Sequence, residues 1–252
     1  MKNLKLISLL IILFTYTLFA QSPDELMKSG NQYYHNGQYD AAIQTYQKIL
    51  SQGFESGPLY YNLGNAYFKS GKLGWAIYNY EKGLKLDPND DDLAYNLKIA
   101  NSRTFDKIQE LPKLFIVSWW EGLITAFSVT GWSIIVIIFY LALIGSVATY
   151  LLVRRSFFQR IAFMSGSISL AVLLLTLVFL FARVGREAST NYGILLSPTY
   201  SVKISPDSKS SDAFIIHEGI KFSLEDNVND WVKIRLADGK VGWIQRDALG
   251  QI

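Results

Sequence analysis

Hydrophobic and polar positions follow three different rhythms along this chain. Residues 132–153 and 161–182 are apolar throughout and hold no Asp, Glu, Lys, Arg or His. As helices rising ~1.5 Å per residue, each run is long enough to cross a ~30 Å hydrocarbon layer. A buried helical hairpin in a soluble protein is the alternative, and charge-free runs of that length disfavour it. Before these runs, residues 23–104 space their small and aromatic positions as helices do. After them, residues 188–252 break into short β-rich runs at 192–196, 200–204, 214–217, 220–224, 231–236 and 241–245. Turn residues divide these runs. Ala237-Asp238-Gly239-Lys240 reads as a hairpin turn, because Asp-Gly accepts a positive φ. The pattern predicts a multidomain membrane protein: an all-α helical array, a two-helix transmembrane hairpin and a small all-β barrel.

Charge gives the hairpin a direction. Residues 154–160 join the apolar runs and carry Arg154, Arg155 and Arg160 with no acid. The positive-inside rule makes this loop cytoplasmic and puts both flanking regions on the far side. Arg183 and Arg186, just past the second run, soften the contrast. Residues 1–20 have a basic head (Lys2, Lys5), an apolar stretch and Ala20, the layout of a signal peptide. Leu18 is larger than the usual residue two before a cleavage point, so the segment is either cleaved or kept as an anchor. Both outcomes carry the chain after residue 20 across the membrane.

Residues 105–131 approach the first span with Trp119, Trp120 and Phe127. The spacing predicts an amphipathic helix over about 112–127, lying at the outer interface or packed on the preceding array. Inside the spans, small residues recur four apart: Ala142/Ser146, Gly145/Thr149, Ala162/Gly166 and Ser165/Ser169. Such spacing lets antiparallel helices approach closely. The spans contain no Asp, Glu, Lys, Arg or His from which to build a proton relay or ion pathway.

The helical region repeats itself. Offsetting the chain by 34 residues lays Gly30 on Gly64, Tyr33 on Tyr67, Ala42 on Ala76 and Tyr46 on Tyr80. Gly30/Gly64 and Ala42/Ala76 are small where two helices cross, and Tyr33, Tyr46, Tyr67 and Tyr80 are expected to fill the adjoining space. Gly37 and Gly71 suit the turns, and Pro88 closes the second copy. A third copy starts at Asp91, with Tyr95-Asn96-Leu97 echoing Tyr61-Asn62-Leu63. It loses the pattern at Lys98, where glycine stood before, and reads as a capping helix.

Composition removes several kinds of chemistry. The 252 residues include no cysteine, so disulfides, thiolate nucleophiles and Cys-bound metals are excluded. A net charge of +3 with no basic aromatic stripe gives no nucleic-acid footprint. Only two histidines occur, His35 and His217, far apart and without carboxylates at metal-ligand spacing. The His217-Glu218-Gly219 run reads as a turn, and His217 as structural. No catalytic residue, cofactor or metal is expected.

Three resemblances add to this. The paired Gly-Asn-x-Tyr-Tyr/Phe-x-x-Gly motifs, Gly30 to Gly37 and Gly64 to Gly71, resemble the tetratricopeptide repeat (TPR). That resemblance implies a groove for a protein partner, formed here by Asn31, Tyr34, His35, Tyr61, Asn65, Phe68 and Lys69. The family's carboxylate clamp needs basic residues where this chain has Met27, Asp92 and Asn96, which argues against it. A ligand-free spacer is the competing role.

Trp231-Val232-Lys233-Ile234 and Asp238-Gly239-Lys240-Val241-Gly242-Trp243-Ile244 resemble the bacterial SH3 domain. This implies a five- to six-stranded barrel with a possible peptide or peptidoglycan ligand, and Trp243 is expected mainly to pack in its core. The order of all these parts resembles the BatE family of the aerotolerance operon. It implies an inner-membrane protein with periplasmic TPR and SH3-like modules. Its partners would be von Willebrand A-type membrane proteins and a MoxR-type ATPase system. A non-enzymatic adaptor is the function expected. The alternative is a cell-wall enzyme or accessory factor targeted by the SH3-like domain.

Overall fold

The computed structural model describes residues 21–109, 111–112, 114–189 and 191–252. The expected signal peptide, residues 1–20, lies outside them. The described residues divide into two compact units: 21–109 together with Tyr192–Ile252, and those between 110 and 191.

Among the described residues the first unit holds five helices: α1 (Pro23–His35), α2 (Tyr39–Ser51), α3 (Gly57–Lys69), α4 (Leu73–Leu86) and α5 (Asp91–Ser102). Their starts are written in the sequence. Ser22 and Glu25 form a reciprocal capping box on α1, and Ser56 and Asp90 cap α3 and α5 with side-chain oxygens. Gly37 and Gly71 turn the chain with φ of 74° and 78°. Successive helices pack on one another, α1 to α5. A Cβ on Gly30 would stand 2.4 Å from the Tyr46 ring, and one on Gly64 would stand 2.5 Å from the Tyr80 ring. Ala42, Ala76, Tyr46 and Tyr80 are fully buried around these crossings. Pro88 comes just after Asp87, the C-cap of α4.

Tyr33 departs from expectation. It is 40% exposed, whereas its repeat mate Tyr67 is 4% exposed. Tyr67 accepts a 2.7 Å hydrogen bond from Gln47 Nε2 of the preceding pair and stacks on Trp75. Among the described residues no helix precedes α1 to do the same for Tyr33. Lys98 is exposed on α5.

The C-terminal part is antiparallel: β1 (Tyr192–Leu195), β2 (Thr199–Lys203), β3 (Asp212–His217), β4 (Lys221–Val228), β5 (Trp231–Arg235), β6 (Val241–Gln245) and β7 (Leu249–Gln251). The order is β3-β2-β6-β5-β4-β1-β7. The expected barrel is corrected to an open ladder: seven strands are paired in series, with β3 and β7 at its two ends. Bulges fall between Val202 and Lys203 and between Leu224 and Asp226. The core of the sheet is Val202, Ile216, Phe222, Val232, Ile234 and Ile244. Trp243 lies half-buried on the opposite face of β6, because the two-residue period gives the inner places to Gly242 and Ile244.

Array and sheet share a core. Ile194 and Ile252 belong to the same buried cluster as Ile77 and Tyr80. Gly74 N–H donates to Glu218 Oε2 at 2.8 Å, and Lys221 Nζ pairs with Glu81 at 2.8 Å. His217 donates its backbone N–H to Asp106 Oδ2 at 2.7 Å, and its Nδ1 lies 3.1 Å from Asp106 Oδ1. The 217–219 turn predicted from sequence thus serves as a contact between the two parts.

The second unit holds α6 (Phe115–Thr125), α7 (Val129–Leu152) and α8 (Ser156–Ser189). The Trp-rich segment forms α6, which packs on α8, a contact that neither expected placement named: the rings of Trp120 and Phe179 are 5.6 Å apart. Trp132 Nε1 donates to Ile124 O at 3.0 Å, tying α7 to α6. Between α7 and α8, Ser146 and Ser165 hydroxyls meet at 2.9 Å. Ala162, Gly166, Ser169, Leu173 and Thr176 form the buried stripe of α8, at alternating spacings of four and three. Gly145 has open space at its Cβ position and plays no part in this contact. Only 153–155 are non-helical between the two helices, so Arg160 stands on the first turns of α8.

Two helices are therefore long and apolar enough to cross a membrane. None of the central apolar stretch of α7, and only 17% of that of α8, is buried.

Candidate functional site

The first helix of each pair contributes to one cleft of about 240 Å³ in the array. Tyr34 enters from α1; Tyr61, Asn65, Phe68 and Lys69 from α3; and Asn96 and Ile99 from α5, with Tyr80 of α4 behind them. Residues of one helix face recur at three and four positions, which is why Tyr61, Asn65, Phe68 and Lys69 point the same way.

Two asparagine networks underlie this surface. Asn65 Oδ1 accepts from Tyr80 Oη at 2.7 Å and from Asn96 Nδ2 at 2.9 Å. One repeat earlier, Asn31 Oδ1 accepts from Tyr46 Oη at 2.7 Å and from Asn62 Nδ2 at 3.2 Å. Each asparagine is thus held by side chains of two other helices, not by helix backbone. Asn62 Nδ2 also lies 3.6 Å from Met27 Sδ. Of the residues expected in the groove, Asn31 and His35 do not line the cleft. Asn31 braces α1 on α2 and α3, and His35 is exposed at the end of α1, edge-on to Tyr34.

Burial, followed by the neighbouring phenols, raises the pKa values of Tyr34 and Tyr80 above the ordinary tyrosine range. Burial likewise pushes Tyr46 up to about 12. These hydroxyls are neutral hydrogen-bonding groups at physiological pH. Lys69 is the cation lining the cleft, and the Arg103 guanidinium sits 4.6 Å above the Phe68 ring at its edge. No carboxylate lines it. Among the described residues, no group of three or more His, Asp or Glu is placed to hold a metal ion.

Asn62 and Asn96 were not among the groove residues expected from sequence, although they stand 34 residues apart like Asn31 and Asn65. That offset was the available signal.

Comparison with known proteins supports the repeat. Residues 58–90 match the tetratricopeptide repeat family. No curated protein matches the chain. Among solved structures, the first TPR of Spaghetti (RPAP3) bound to the HSP90 peptide SRMEEVD is 22% identical, with a TM-score of 0.20, over 32% of this chain and 90% of that one. The Sgt2 TPR domain from Aspergillus fumigatus is 18% identical, with a TM-score of 0.23, over 37% and 90%. An NlpC/P60 family protein from Bacillus cereus is 13% identical, with a TM-score of 0.22. The matched region covers 27% of this chain and spans only 22% of that protein's length.

Proposed function

We propose that this protein is a non-enzymatic, membrane-anchored adaptor that captures a protein partner in the cleft of its helical array. The observation that carries this reading is the convergence of α1, α3 and α5 on one cleft whose polar floor is fixed by the Asn65–Tyr80–Asn96 network. A floor already held in place loses little freedom when a partner binds. The exposed apolar surfaces of α7 and α8 favour residence in a bilayer, since a soluble protein with such faces would aggregate.

In this reading α7 and α8 are the two spans, the Arg154–Arg155–Arg160 end is cytoplasmic, and array and sheet lie together in the periplasm. Their shared core favours one compartment, because a single packed body cannot straddle the membrane. The order of modules points to the BatE family. The partners would then be von Willebrand A-type membrane proteins working with a MoxR-type ATPase in aerotolerance or envelope stress. The sheet is read as an SH3-like module whose ladder remains open. It packs on α4, which makes it a structural companion of the array as well as a second surface for a ligand.

A photoreactive amino acid at Tyr61, incorporated in cells, tests the groove. The expected result is a discrete protein adduct that disappears when Lys69→Glu is added. An adduct unchanged by that substitution removes the groove from the function. Peptidoglycan hydrolysis by the purified full chain would instead favour the cell-wall enzyme.

A further inference from the structure

The turn end of the α7–α8 hairpin carries a second cleft. It encloses about 440 Å³ and is lined by Tyr150 on α7 and by Ser156, Gln159, Arg160, Phe163 and Met164 on α8. Its lining changes character along α8. Ser156, Gln159 and Arg160 supply hydroxyl, amide and guanidinium groups near the turn, and Phe163 and Met164, 66% and 65% exposed, supply an apolar wall further along. Gln159 Nε2 reaches the Tyr150 carbonyl at 3.4 Å and links the two sides.

Charge at this end is uncompensated. Arg154 and Arg155 stand exposed in the turn beside Arg160, and among the described residues none of the three has a carboxylate partner. At the other end of α8, by contrast, Arg186 lies 3.5 Å from Glu121. Three guanidinium groups without an acid, next to an apolar wall, ask for a ligand that is anionic at one end and hydrocarbon at the other. A guanidinium fork matches phosphate oxygens two at a time, and basic residues at an anionic bilayer surface gain about 1 kcal/mol each.

We infer that this cleft binds the phosphate of an anionic diacyl phospholipid, with Arg160 on the phosphate and Phe163 and Met164 against the acyl chain. The inference rests on α7 and α8 lying in a bilayer. Its ligand is a membrane component, separate from any partner of the helical array.

The full chain, isolated from membranes in detergent, is offered phosphatidylglycerol and phosphatidylcholine in turn, and bound lipid is counted by native mass spectrometry. Phosphatidylglycerol is expected to be retained in preference. Arg160→Gln should weaken its retention about tenfold, the loss of one charge-assisted pair. Arg160→Lys should fall between, and Arg186→Gln at the far end should leave it unchanged. Circular dichroism of each variant verifies that the helices persist. Equal retention of the two lipids, or an Arg160→Gln variant that retains phosphatidylglycerol fully, overturns the site. Displacement by glycerol 3-phosphate at the same concentration overturns it as a lipid site, since a free phosphate would then suffice. Extraction of the chain from membranes by alkaline carbonate would defeat the bilayer reading and this inference with it. A carbonate-resistant chain without lipid preference defeats this inference alone.

Discussion

The Glu218 carboxylate caps the start of α4 from 144 residues away, accepting the Gly74 N–H at 2.8 Å. Lys72, at the N-cap position of α4, makes no side-chain cap of its own. An acid there satisfies an orphan amide and faces the positive end of the helix dipole. Gly74 admits the contact because a Cβ at that position would lie 2.5 Å from the Leu195 carbonyl oxygen. Gly219, with φ of 87°, completes the turn that presents the carboxylate.

Glu218→Ala should therefore loosen the start of α4 by about 1 kcal/mol, the usual worth of a cap. Hydrogen exchange checks this locally: the Gly74 amide should exchange roughly fivefold faster, with little change at the Tyr46 amide in α2. Glu218→Gln, which keeps an acceptor without the charge, should show a smaller effect.

Gly64→Ala should destabilise the array by about 1–3 kcal/mol, because its methyl would enter the space of the Tyr80 ring. Gly71→Ala has open space around it and meets only the strain of a left-handed backbone, worth about 1–2 kcal/mol. Urea midpoints separate the mechanisms. Tyr80→Leu in the Gly64→Ala background should recover part of the loss and should recover nothing in the Gly71→Ala background.

The buried tyrosines predict alkaline sensitivity. Burial raises the native pKa of Tyr46 from 10.0 to about 12 and displaces Tyr60 and Tyr80 in the same direction. A raised native pKa means that unfolding favours ionisation. The stabilisation is then fully present below about pH 10 and is lost as pH climbs through the native values. The urea midpoint should fall above pH 10, and ultraviolet titration should show tyrosinate forming together with unfolding. In Tyr46→Phe the fall should be shallower, whatever the variant's starting stability.

The repeat crossings were legible in the sequence because both partners of each contact recur at one offset: Gly30 with Tyr46, then Gly64 with Tyr80. Six strands could be read from β-branched and aromatic runs, whereas β7 could not, since Leu249-Gly250-Gln251 is short and carries no such residue. Strand count also says nothing about closure, which depends on whether β3 and β7 meet. The basic segment beyond Arg155 is helical because Ser156, Phe157, Phe158, Gln159 and Arg160 include no helix breaker, and charge alone does not end a helix. The groove positions came only from the resemblance to the tetratricopeptide repeat; the cleft is lined by Tyr34, Tyr61, Asn65, Phe68 and Lys69, while Asn31 braces the helices and His35 lies outside it. Glu218 with Gly74, and Asp106 with His217, had no local signal at all. Such pairs exist only after the chain has folded back on itself.

That return of the chain is the central claim: array and sheet form one body, so residues 21–109 and 192–252 share a compartment. The chain has no native cysteine, so cysteines placed at Glu81 and Lys221, whose charged groups meet at 2.8 Å, report without background. In intact cells with a permeabilised outer membrane, a short bismaleimide that cannot pass the inner membrane should join the two within one chain. A reagent that labels one of them while the other stays protected until the inner membrane is opened would contradict the shared body and the adaptor built on it.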